Sequence, residues 1–246
     1  MRELSLDNQE PFVAGGYFLA RTVPRPSYLT KNLLPDRIFS ASHCIGKLVP
    51  DNWSALNWDQ LKEKQRREFA PEIGVEQTRI PELVKWVTER WDSQLGWGNV
   101  FYSADVARSF VDGFGVSTHD LVLFSIALHE KHIGLFVKET RSPERIIPSG
   151  IWIMVQKGLP PEAGGKTIGY DVLGYDLAWA HSWLCYSFER DASERLGIRP
   201  NSHGFVETFE DAEKIAEYAD NSDAPIENKP WLPWLVTVQP MTKVTQ

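Results

Sequence analysis

The chain has 246 residues, 42% of them hydrophobic, 24% charged and 12% aromatic, with a formal net charge of −7. Disorder needs low hydrophobicity and high charge, so this balance excludes it, and the length suffices for a substantial core. Nucleic acid is a poor partner for such a chain, because phosphate binding runs on clustered cations and the one basic cluster (Lys62, Lys64, Arg66, Arg67) is interleaved with Glu63 and Glu68.

In chain order, YFLARTV after Gly15-Gly16 reads as a strand, and RIFSASHCIGKLV as a second one. A short helix is expected over Trp58–Phe69, capped near Asn57 or Asp59. Pro81–Leu95 follows as a stronger helix, with Leu83, Val84, Val87 and Trp91 at three- and four-residue steps. Ser103 caps another, Ser103–Phe114, which stops at Gly113 or Gly115. LVLFSIAL and IGLFVKE flank HEKH and read as a hairpin with a His-rich turn. Ile151–Lys157 and Lys166–Leu173 carry β-branched residues between Gly and Pro and read as strands. Helices return at Ala178–Leu196 and Glu210–Asp220. The closing WLPWLVTVQP reads as a short strand or strap, its prolines arguing against a central place in a sheet. This pattern predicts a single α+β domain over residues 1–246, with a mostly antiparallel sheet and flanking helices.

The N-terminus MRELSLDNQEPF has no signal-peptide pattern, and the longest apolar run, near Leu121–Leu128, is far short of the ~20 residues that cross a bilayer. Two Cys make no disulfide framework. A cytoplasmic protein is expected, in which the sequon Asn52-Trp53-Ser54 is silent.

No cofactor is expected, since GxSxG and GxGxxG are absent. HEKH fails as HExxH because Ile133 stands where the second His belongs, leaving two His in a solvated turn. GGKT at 164–167 lacks the first Gly of a phosphate loop and precedes a strand. His181 and Cys185, at i,i+4 on the expected helix, could serve as metal ligands or as a Cys–His nucleophile, with Asp176 nearby. They also fall along the stripe Leu177, Leu184, Phe188, Ala192 and Leu196, which favours core packing, with Asp176 as helix cap. His43-Cys44, adjacent on a strand, would point to opposite faces. Joining them to His181, Cys185 and His203 in one metal site would require the fold to gather distant segments.

Between Glu189 and Glu227 there are 11 acids and 4 bases, so the whole net charge sits there. Trp53, Trp58, Trp86, Trp91, Trp97 and Trp152 are expected in the core. Trp179 and Trp183, four apart on the expected helix, are candidate partner anchors beside the acids, with Trp231 and Trp234 as further candidates. The candidate partner-binding set is therefore Trp179, Trp183, Glu189, Asp191, Glu194, Glu210, Asp211 and Glu213, with no catalytic or metal residue assigned.

GYFLARTVPRPSYLTKNLLPDRIFSASHCIG (Gly16–Gly46), LGYDLAWAHSWLC (Leu173–Cys185) and WLPWLV (Trp231–Val236) together resemble bacterial immunity-type proteins of polymorphic toxin systems. That resemblance implies a cytosolic, acidic, Trp-rich single domain that binds a cognate toxin and blocks its active site or its folding. It carries over no family site residue. The function expected is neutralisation of a basic toxin or effector through an acidic aromatic surface. A hydrolase or metal-dependent enzyme built on His181 and Cys185, or a subunit of a larger assembly, are the alternatives.

Overall fold

A computed structural model describes residues 11–140, 149–176, 179–221 and 230–242. The first half runs β1 (Phe12–Arg21), β2 (Val23–Pro24), β3 (Arg37–Ile38), β4 (Lys47–Val49), α1 (Asn52–Leu56), α2 (Glu63–Ile73), α3 (Ile80–Arg90), β5 (Leu95–Gly96), β6 (Val100–Phe101) and α4 (Ala104–Phe114). The second half runs β7 (Leu121–His129), α5 (Glu130–Thr140), α6 (Gly150–Lys157), β8 (Lys166–Asp176), β9 (Trp179–Ser182), α7 (Phe188–Asp191), α8 (Phe209–Asp220) and β10 (Trp231–Val238). The main sheet has the order β5-β6-β1-β7-β10-β8-β9, with β4 also on β1, and its pairs are antiparallel. Helices flank this sheet, so the α+β class read from the sequence holds. Among the described residues no helix is long and apolar enough to cross a membrane.

Side chains alternate along the strands and feed two cores. Leu232, Trp234 and Val236 of β10 join the larger cluster, and Trp231 joins the smaller one with Val172, Trp183, Leu184, Phe188 and Ile215. Trp231 lies against the Gly174 backbone on β8, where a Cβ would come within 2.6 Å of its ring. Trp183, Trp231 and Trp234 are fully buried, whereas Trp53 is 40% exposed. The indoles proposed as partner anchors thus include the best-buried ones in the molecule.

Several local expectations give way. The apolar run Ile151–Lys157 is helix α6, capped by Ser149 and ended by left-handed Gly158. Its buried Ile151, Met154 and Val155 have helical spacing, which the β-branched composition masked. IGLFVKE belongs to α5, so HEKH is no hairpin turn. His129 stacks on Phe209 at 4.9 Å, and His132 meets Glu213 at 3.1 Å. The helix expected over Trp58–Phe69 is a 3-10 turn (Trp58–Gln60) followed by α2, and α3 ends at Arg90 rather than Leu95.

β10 is a central strand, contrary to the proline argument. Its register with β7 begins only at Trp234, so Pro233 has a ladder neighbour on one side, opposite Val172, where a missing N–H is tolerated. The helix expected over Ala178–Leu196 forms only in its last part, as α7 and a π-helical turn over Ala192–Leu196. Its first residue, Ala178, and the stripe residue Leu177 lie outside the described residues. β9 then pairs with β8, a 3-10 turn covers Trp183–Tyr186, and Ser187 takes a left-handed φ of 58° before α7.

Candidate functional site

Between β3 and β4, which pair with different strands, residues 39–46 form a connection whose tight turn at 43–45 carries His43 and Cys44. The Gly46 N–H closes it onto the Ser42 carbonyl at 2.7 Å. A Cβ on Gly46 would collide with the Ser40 carbonyl oxygen, so the turn requires glycine. Inside it the Ser42 N–H donates to Ser40 Oγ (3.0 Å) and the Cys44 N–H to Ser42 Oγ (3.2 Å). Such serine-to-backbone bonds hold a turn that no ladder supports. Ile45 anchors it in the smaller core beside Leu184.

The other half of the site comes from β9 and the turn after it. His181 pairs with Gly174 at the sheet edge, and Cys185 lies in the 3-10 turn. The two halves meet over buried Asp171 of β8. Its Oδ2 accepts the Ser40 hydroxyl at 2.6 Å and its Oδ1 accepts the Ser182 hydroxyl at 2.7 Å. Ser182 Oγ in turn accepts from the Leu184 N–H. Burial pushes the Asp171 carboxyl up to about 6, against the lowering effect of both serines and the Val172 N–H.

Above this clamp, Cys44 Sγ lies 3.4 Å from His181 Nδ1 and 3.5 Å from His43 Nε2. The two imidazole rings meet edge to face at 4.6 Å, and the Trp179 ring stands 5.1 Å from His43. Ligating atoms of His43, Cys44 and His181 all fall within 4.8 Å of one another, the only such group among the described residues. Zinc–sulfur bonds near 2.3 Å and zinc–nitrogen bonds near 2.0–2.1 Å at a tetrahedral angle place neighbouring ligand atoms about 3.5 Å apart. The observed separations match that edge.

The Cys44 thiol is drawn down to about 5, chiefly by a hydrogen bond from the Cys185 thiol. Partial burial opposes this, and the His43 and His181 imidazoles assist it. Cys185 moves the other way, well above an ordinary thiol, because it donates to Cys44 and is buried. Ser42 Oγ touches Cys185 Sγ at 3.1 Å.

The sequence reading named His181 and Cys185 and set His43-Cys44 apart from them; the fold joins all four. The reason given for separating His43 from Cys44 fails because they sit on a turn, not a strand. Cys44, not Cys185, is the exposed and ionisable sulfur. His203 stays outside the group, and Asp176 ends β8 rather than capping a helix. Asp171, Ser40, Ser42 and Ser182 were missed. Asp171 left a trace, since a lone carboxylate inside the apolar strand TIGYDVLGY is a buried polar group that needs partners.

The expected partner-binding set disperses. Trp183 is fully buried, and Trp179 is half-buried against His43. Glu189 is fully buried, accepting both the N–H and the hydroxyl of Thr30 at 3.0 Å. Asp191 faces Arg195 (3.5 Å), Asp211 faces Lys214 (2.7 Å) and Glu213 faces Lys131 (2.7 Å). Glu194 and Glu210 are exposed. Residues 222–227 of the acidic stretch lie outside the described residues. No protein-family model, curated protein or solved structure matches the chain, so the site is read from its own geometry.

Proposed function

We propose that the protein binds one transition-metal ion of the zinc class through His43, Cys44 and His181, with a coordination position open to solvent. The observation that carries this reading is the set of sulfur–nitrogen separations, 3.4 and 3.5 Å, at the edge length of a tetrahedral site. Imidazole and thiolate are the ligand types that such an ion selects. His43 and Cys44 are exposed, so solvent reaches the ligand atoms. Three protein ligands with one open position is the arrangement used for metal-assisted hydrolysis, in which the ion activates a bound water. Metal-dependent hydrolysis is accordingly the reaction class the site fits.

The toxin-neutralising reading favoured by the sequence draws no comparable support. Three of its four candidate anchors, Trp183, Trp231 and Trp234, are internal, and three of its acids already have intramolecular cations.

The test is a competition titration of chelator-washed protein with Zn²⁺, paired with a Co²⁺ absorption spectrum. One equivalent should bind, with a sulfur-to-cobalt charge-transfer band and tetrahedral d–d bands. Cys44→Ser and His181→Ala should each lower affinity by roughly 100-fold or more and abolish or alter those bands. Absence of saturable binding, or binding indifferent to both substitutions, would overturn the reading.

A further inference from the structure

The two cysteines of the chain come from segments 141 residues apart in sequence, yet the turns that carry them meet at Ser42, close enough for each thiol to interact with the other. Their surroundings differ. Cys44 sits on an exposed turn, and Cys185 lies behind it in the 3-10 turn. One hydroxyl serves both, since Ser42 Oγ accepts from the Cys44 N–H at 3.2 Å and touches Cys185 Sγ at 3.1 Å. An exposed thiol with a half-buried thiol beside it is the arrangement thiol–disulfide exchange uses: the outer sulfur is reached first and the inner one follows.

We infer that Cys44 and Cys185 form an exchanging dithiol that reduces small, low-molecular-weight disulfides. Cys44 sulfur attacks one sulfur of the incoming disulfide, forming a mixed disulfide and expelling one thiolate, which takes up the Cys44 proton. Cys185 sulfur then attacks Cys44 Sγ, breaks the mixed bond and closes the Cys44–Cys185 disulfide. Its proton goes to the second thiolate released. The small disulfide gains two electrons and becomes two thiols, and the protein dithiol loses the same two. A small thiol runs the steps backward and restores the protein. Closure brings the two sulfurs to about 2.05 Å. One of them rides on a turn between strands of two and three residues, which can follow that movement.

This exchange does not require a bound ion, so the test uses chelator-washed protein, and it can fail while metal binding stands, or the reverse. Full-length protein is incubated with excess oxidised glutathione, then acid-quenched for intact mass, thiol titration and non-reducing peptide mapping. The expected product has lost two hydrogens and both titratable thiols, carries a Cys44–Cys185 linkage within one chain, and has released two glutathiones. Cys185→Ser should halt at one stable glutathionyl group on Cys44, and Cys44→Ser should remain unmodified. The wild-type measurement decides without any variant. A lasting glutathionyl adduct, two free thiols or a linkage between chains would each overturn the inference.

Discussion

Asp171 Oδ2 accepts the Ser40 hydroxyl at 2.6 Å across a sequence separation of 131 residues. Because Oδ1 of the same carboxylate holds Ser182, one buried acid fixes both segments that carry the His and Cys side chains. A charged group is expensive to bury, and this one is retained where its loss would uncouple the two halves of the site.

Asp171 gives the fold a defined pH dependence. Its folded value of about 6 lies above the ordinary 3.8, so the native state holds the proton more tightly than the unfolded chain does. The stability linked to this group is greatest below about pH 4. It falls as pH rises to about 6 and is flat above, by roughly 3 kcal/mol in total. Urea unfolding of wild type and Asp171→Asn across pH 4–8 should show the slope in the difference between the two curves. Asp171→Ala should cost about 3 kcal/mol, because both serine hydroxyls lose their acceptor, and should weaken Zn²⁺ binding about 10- to 100-fold.

Gly46→Ala tests the turn without touching a ligand. The new methyl must displace the Ser40 carbonyl, which moves Cys44 away from His181. A loss of about 1–3 kcal/mol is expected, together with a drop in metal affinity larger than any exposed-loop substitution produces. Thermal unfolding and the zinc titration read the two effects separately.

Alkylation by iodoacetamide distinguishes the cysteines. In chelator-washed protein Cys44 should react at a nearly constant rate from pH 9 down to about pH 6 and fall off near pH 5, where its thiol regains the proton. An ordinary thiol loses about tenfold per pH unit below its pKa near 8.5. Cys185, half-buried and held protonated, should label far more slowly than Cys44. Peptide mapping after timed quenches gives both rates.

Trp183→Ala and Trp179→Ala should separate sharply. Trp183 fills the smaller core with Phe188 and Trp231, so its truncation should cost about 3–5 kcal/mol. Trp179 touches the His43 ring from a half-buried position, and its loss should cost under about 1 kcal/mol while loosening the metal site. Chemical denaturation checks the first and zinc competition the second.

What the sequence legibly carried was an apolar run or a cap. Ser103 as the cap of α4, the apolar strand near Leu121–Leu128, the strand beginning at Lys166 and the helix ending at Asp220 all emerge from local rules. The departure at the site has one physical cause. Residues 178–196 have a helix-compatible stripe, but pairing of Trp179–Ser182 with β8 supplies a ladder that local propensity cannot register. Once the chain there is extended, His181 and Cys185 lose the helical relationship that spacing suggested and gain Cys44 instead.

The sequence by itself determined the class of fold and the identity of the few His and Cys residues available for chemistry. Only the tertiary structure decided which of them meet. Sheet pairing is non-local, so the turn after β3 and the edge strand β9 come together through contacts more than a hundred residues apart in sequence, which no periodicity along the chain encodes.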